Sequence, residues 1–155
     1  MDPDWIFKNP NVLNIEVTEE NSFEELDFSV TGAITINYPT NPPDSIYPFM
    51  ADSGVVIFNW EPYSSTKEYI IEVKDLSGNI IWGGFESDST INHAYIDDSV
   101  SSIEYNFDGS ASVPELVSGE IYQWKLYADK GTHQNSIVEE LISSSEDLRG
   151  IFQVP

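Results

Sequence analysis

Short runs with apolar residues at alternate positions, separated by turn-forming residues, recur along most of this chain. From Ile121 to Ala128 the side chains of Tyr122, Trp124, Leu126 and Ala128 fall on one face of an extended strand. Those of Gln123, Lys125 and Tyr127 fall on the other. The same period of two appears in Ile34-Ile36-Tyr38, Val56-Phe58-Trp60, Tyr69-Ile71-Val73 and Ile103-Tyr105-Phe107. Asp75 to Asn79 reads as a turn, after which Ile80 to Phe85 returns as a hairpin partner. Ile151 to Val154 supplies the last strand, and Pro39, Pro42 and Pro43 end the first in a manner that suits a sheet edge. The loop from Asp44 to Gly54 is expected to pack across one end, and residues 86–102 to cross between two sheets. Residues 129–148 leave two readings open. Ser136 and Glu139 have capping-box spacing before Leu141 and Ile142, which suits a short helix, and a bulged edge strand fits equally. The pattern predicts an all-β chain.

The stretch Leu116 to Ala128 carries a more particular signal. Leu116 is followed by Tyr122, Leu126 and Ala128, with the turn residues Ser118-Gly119 just before the strand. This spacing resembles that of the fibronectin type III family, as does the Trp60-Glu61-Pro62 turn at the end of its strand. The resemblance covers roughly residues 33–155. It implies a fibronectin type III or immunoglobulin-like β-sandwich of about seven strands, with Tyr122 forming a tyrosine corner at the start of strand F. It also implies that Trp60, Tyr69, Leu116, Tyr122 and Trp124 are core residues. Ser118 stands where the family usually has Pro, Glu120 where Thr is common, and both long connections exceed the usual length. The closest flavour is the bacterial one, in which Leu116, Gly119, Tyr122 and Trp124 fit an L-x-x-G-x-x-Y-x-W pattern and the domain is a module of secreted, surface or lipoprotein chains.

Residues 1–32 stand apart from that frame. They read as an N-terminal extension or linker, and Val12 to Val17 with Leu26, Phe28 and Val30 also suit an added edge hairpin. Trp5, Ile6 and Phe7 favour partial docking over full solvation.

Composition narrows the function. The 155 residues hold 27 acidic side chains against six basic ones, a formal net charge of −21. Such a surface repels phosphate backbones and anionic lipid, so nucleic-acid binding and membrane-surface binding are both disfavoured. No run approaches the roughly 20 apolar residues of a membrane span. The chain has no cysteine, which excludes thiol catalysis, disulfides and Cys-ligated zinc. No leader is recognisable, so a secreted or surface location presupposes that a signal or lipid anchor has been removed.

Candidate chemistry is sparse. His93 and His133 lie in separate polar loops, and no HExxH pair, Gly-x-Ser-x-Gly elbow or phosphate-binding glycine loop occurs. Adjacent acids such as Glu24-Glu25 and Glu139-Glu140 are expected by chance at this acidity, whereas a glycosidase needs carboxylates opposed across a cleft. No enzyme is predicted, and no cofactor. Two ligand sites merit testing. Trp82 and Phe85 flank the Gly83-Gly84 bend with Tyr95 beyond it, an aromatic set that would stack on a sugar or anchor a protein. Asp97 and Asp98, with Asp88 and Asp108 nearby in sequence, offer oxygen ligands to calcium, although EF-hand spacing is absent. The expected function is that of a non-catalytic extracellular or surface module, a spacer or protein-binding domain. The alternative is a carbohydrate-binding module using Trp82, with a cell-surface polysaccharide as partner.

Overall fold

The computed structural model describes residues 32–42, 45–84, 94–131, 141–146 and 148–155. The chain divides into two units at Thr31/Gly32, and all described residues belong to the second. The expectations for the N-terminal extension therefore lie outside the described residues, as do those for Phe85, Asp88, His93 and His133.

The described residues contain ten strands and no helix. The smaller sheet has the order β1-β3-β7, formed by Ile36–Tyr38, Ile57–Trp60 and Ser102–Glu104. The larger is built on the long antiparallel pair β4 (Glu68–Asp75) and β8 (Ile121–Asp129), which stay in register from Glu68↔Asp129 to Asp75↔Tyr122. β5 (Ile80–Gly83) and β6 (Ala94–Asp97) lie end to end along β4. β9 (Leu141–Ser144) and β10 (Ile151–Gln153) lie end to end along β8. The two residues of β2 (Phe49–Met50) add to β10 in parallel. This is an all-β sandwich of the immunoglobulin/fibronectin type III-like kind.

The period of two explains the layers. Phe58 and Trp60 of β3 point inward to meet Tyr69, Ile71 and Val73 of β4 and Trp124 and Leu126 of β8. Phe58 lies at the centre, its ring 4.8 Å from Trp124, 5.9 Å from Phe152 and 6.1 Å from Trp82. Trp60 meets Tyr69 edge-on at 5.5 Å. Each such fully buried side chain contributes about 1.5–3 kcal/mol of transfer free energy. Trp60, Tyr69, Tyr122 and Trp124 are buried as anticipated, and Leu116 packs half-buried against them. The tyrosine corner is present: the Tyr122 hydroxyl accepts the Val117 N–H at 3.0 Å. Tyr69 does the same at the other turn, accepting the Tyr63 N–H at 2.7 Å.

Several elements differ from the sequence pattern. The Ile103–Phe107 run is a strand only to Glu104, because Asn106 enters the left-handed region (φ 57°) and Phe107 turns back to bond the Glu104 carbonyl. Residues 94–97 do not cross between sheets; they pair with β4 as β6, and the crossing falls after Asp97. Leu141 and Ile142 are strand residues, so a helix does not extend over them.

Candidate functional site

The expected aromatic patch is divided by the sheet itself. Trp82 stands directly opposite Val73, an inward-facing residue of β4, and is 1% exposed. Its ring packs against Tyr105 at 5.3 Å and Phe107 at 5.8 Å, and its indole N–H donates to Asp108 Oδ1 at 2.9 Å. Tyr95 stands opposite Ile70, on the other face of the same sheet. Trp82 and Tyr95 therefore cannot share a ligand platform, and the reading of Trp82 as an exposed binding residue is corrected: it is core. The cause is a bulge between Val73 and Lys74, which leaves Ile81 and Trp82 both buried where strict alternation would expose one.

The acidic candidates hold their own loops. Asp97 Oδ1 accepts both the hydroxyl and the backbone N–H of Ser99, and these bonds hold its carboxyl below the usual carboxylate range, the hydroxyl bond foremost. Asp98 is exposed in the same turn. Asp108 is committed to Trp82 and to the backbone and hydroxyl of Ser110. Asp75 accepts from Ser77 and Asn79, whose side-chain amide is the largest cause of its lowered pKa. Among the described residues, no three His, Cys, Asp or Glu side chains come together to hold a metal ion.

What the structure assembles instead is a polar rung system on the outer face of the larger sheet. Ile70 has Tyr95 on one side and Tyr127 on the other. Two residues along, Glu72 pairs with Lys125 and makes a 2.8 Å ion pair with Lys74. Lys125 Nζ lies 5.5 Å from the Tyr127 ring centroid. Glu68 stands opposite Asp129 in β8 and Asp97 in β6. The centre of this face is buried: Ile70 is 0% exposed, and Glu68, Glu72, Tyr127 and Asp129 are buried with it. β4 is thus packed on both faces, which the doublet Ile70-Ile71 signals in sequence by breaking the alternation.

A second junction gathers the edge. Asn41, 3% exposed, donates its side-chain amide to the Tyr47 carbonyl and its backbone N–H to the Arg149 carbonyl, both at 2.8 Å. Its side-chain oxygen accepts the Ile151 N–H at 2.8 Å. On the two loop segments that meet at this junction, Ile46, Tyr47 and Leu148 are exposed at 86%, 73% and 71%. Nothing in the local pattern marks Asn41; its role depends on a partner more than a hundred residues away. No family model, curated protein or solved structure matches the chain.

Proposed function

We propose that this chain is a non-catalytic module of a bacterial secreted or surface protein, acting as a spacer or protein-binding domain of the fibronectin type III family. The observation that carries the reading is where the reactive side chains go. Asp75, Asp97 and Asp108 close their own turns, Tyr69, Tyr105 and Tyr122 hold loop backbone, and Trp82 fills the core. Side chains used this way stiffen a scaffold. The net charge of −21 favours solubility and neutral or cationic protein partners. The exposed apolar residues Ile46, Tyr47 and Leu148 are the side chains with which such a module would touch a neighbour.

Antibody labelling of intact, unpermeabilised cells of the source organism tests the location. Surface labelling that is lost after external protease treatment is the expected result. Protein confined to the cytoplasmic fraction would overturn it. Turnover of chromogenic glycoside or ester substrates that a single carboxylate substitution abolishes would overturn the non-catalytic reading.

A further inference from the structure

One edge of the larger sheet carries a strip of apolar side chains in water. Ile46, Tyr47, Met50 and Leu148 make up four of the nine large apolar side chains exposed among the described residues. A run of hydrogen bonds holds these four in place. The Arg149 N–H donates to the Glu146 carbonyl at 3.3 Å, closing the turn that carries Leu148, and the Arg149 carbonyl accepts the Asn41 N–H. The Asn41 side-chain amide holds the Tyr47 carbonyl, and Ser45 Oγ accepts the Tyr47 N–H at 3.3 Å. Further along, Met50 stands beside Gln153, and the Ala51 N–H donates to the Gln153 carbonyl at 2.9 Å. The backbone beneath the strip is thus fixed in advance, so a partner does not have to order it on binding.

Burial of such a strip is favourable, and the charges at its ends select what buries it. Glu146 adjoins the Leu148 end and Asp52 adjoins the Met50 end, both exposed. The neighbouring cation, Arg149, is half-buried. Among the described residues the exposed cations are Lys67 and Lys130. Those two adjoin the Glu68–Asp129 pair, at the end of β8 opposite to the Ile121 that flanks Gln153 and Met50. A second copy meeting the strip about a two-fold axis would crowd Asp52 and Glu146 of both chains onto one rim, each chain carrying a net charge of −21. Anionic lipid is repelled by the same rim. A cationic border complements it.

We propose that this strip is the docking face for a protein segment whose apolar anchors are bordered by Lys or Arg. Such a face rests on the protein-binding reading above, to which it adds a position and a partner chemistry.

Nuclear magnetic resonance titration of the isotope-labelled 155-residue chain tests it. The probe is a synthetic peptide in which Leu and Trp alternate with Lys. One control peptide replaces its Lys by Glu, and another replaces its Leu and Trp by Ser. Saturable shifts of the Ile46, Tyr47, Met50 and Leu148 amides are expected with the first peptide alone, weakening as salt rises. Ile46→Ser and Leu148→Ser are each expected to weaken binding by about tenfold. Leu76→Ser, which alters an equally exposed side chain at the β4–β5 turn, should leave it unchanged. All three positions are exposed, so the fold is retained.

No saturable binding, or equal losses for the Leu76 variant, would overturn the docking face and leave only diffuse charge attraction. Self-association on sedimentation that Ile46→Ser abolishes would give the strip to a second copy and overturn the cationic partner. Flotation with phosphatidylglycerol vesicles that Ile46→Ser abolishes would give it to a membrane, with the same consequence. Failure of the peptide leaves the spacer role and the surface location standing, whereas a cytoplasmic location with peptide binding intact removes the setting alone.

Discussion

On one flank of the β4–β8 pair, β5 and β6 share a single lane along β4; on the other, β9 and β10 share a lane along β8. Both lanes are interrupted, and a glycine stands at each interruption where the chain runs against a central carbonyl. A Cβ on Gly83 would overlap the Ile71 carbonyl oxygen, and one on Gly150 would overlap that of Trp124. The flanks differ in what lies beyond them. Outside β9 and β10, residues 32–51 add a further layer that also supplies β1 to the other sheet. Outside β5, the Ile81 carbonyl accepts from the backbone and hydroxyl of Ser112, a loop residue. The β8 flank is therefore tied to both sheets by residues 32–51, whereas the β4 flank is held by pairing along β4 and by the Ser112 and Asp108 bonds to Ile81 and Trp82. Interruptions and covering segments both blunt a sheet edge against pairing with another chain; this protein interrupts the lane on both sides and adds a covering segment on the β8 side.

Substitutions can break that comparison. Trp124 lies under the β8 flank, its backbone N–H on the Gly150 carbonyl and its indole on the Pro39 carbonyl at 2.7 Å. Trp124→Ala leaves a cavity and an orphaned carbonyl and is expected to cost about 3–5 kcal/mol in chemical denaturation. Next come the glycines. Gly150→Ala is expected to cost about 1–3 kcal/mol through overpacking. Gly83→Ala should cost more, by about 1–2 kcal/mol, because Gly83 also has φ +64°. Equal denaturation midpoints for the two variants would show that backbone handedness adds nothing on the β4 flank.

The outer ties separate the flanks further. Asn41→Ala orphans buried partners at the β8 flank and is expected to cost about 2 kcal/mol. Ser112→Ala removes one of two donors to the Ile81 carbonyl and should stay within about 0.5 kcal/mol. Comparable losses would mean that both edges are held alike. Tyr122→Phe, which deletes the acceptor for Val117, is expected to cost about 1 kcal/mol by the same measurement.

The smallest effect is a pH dependence. The Tyr105 hydroxyl donates to the Val113 carbonyl at 2.6 Å, and its pKa is raised, mainly by burial and secondarily by Tyr122. The folded state therefore holds that proton more tightly than the unfolded chain. The resulting stability is present below the unfolded pKa of about 10 and lost as pH rises above it. Tyr105→Phe is expected to flatten the decline of melting temperature between neutral and strongly alkaline pH.

The inward face of each long strand was legible in the sequence because a sheet side chain alternates with its neighbours, and burial on one face leaves that alternation in the residue types. Tyr122, Trp124, Leu126 and Ala128 on β8, and Tyr69, Ile71 and Val73 on β4, follow from it directly. The tyrosine corner was legible by another route, the Leu116, Tyr122, Leu126 and Ala128 spacing that resembles the fibronectin type III family, and the hydroxyl of Tyr122 reaches a turn only five residues away. The site of the aromatic candidates was not legible. One residue of bulge reverses a side chain from one face to the other, and whether a bulge occurs depends on the partner strand. That decision put Trp82 in the core, while the separate pairing of β6 with β4 set Tyr95 opposite Ile70 on the far face. The split lanes, the buried rungs around Ile70 and the parallel addition of β2 to β10 share a cause. Each is a contact between residues distant in sequence, for which the local pattern holds no record. Local alternation determined which residues are strands and which way most of them face; only packing decided which strands become neighbours.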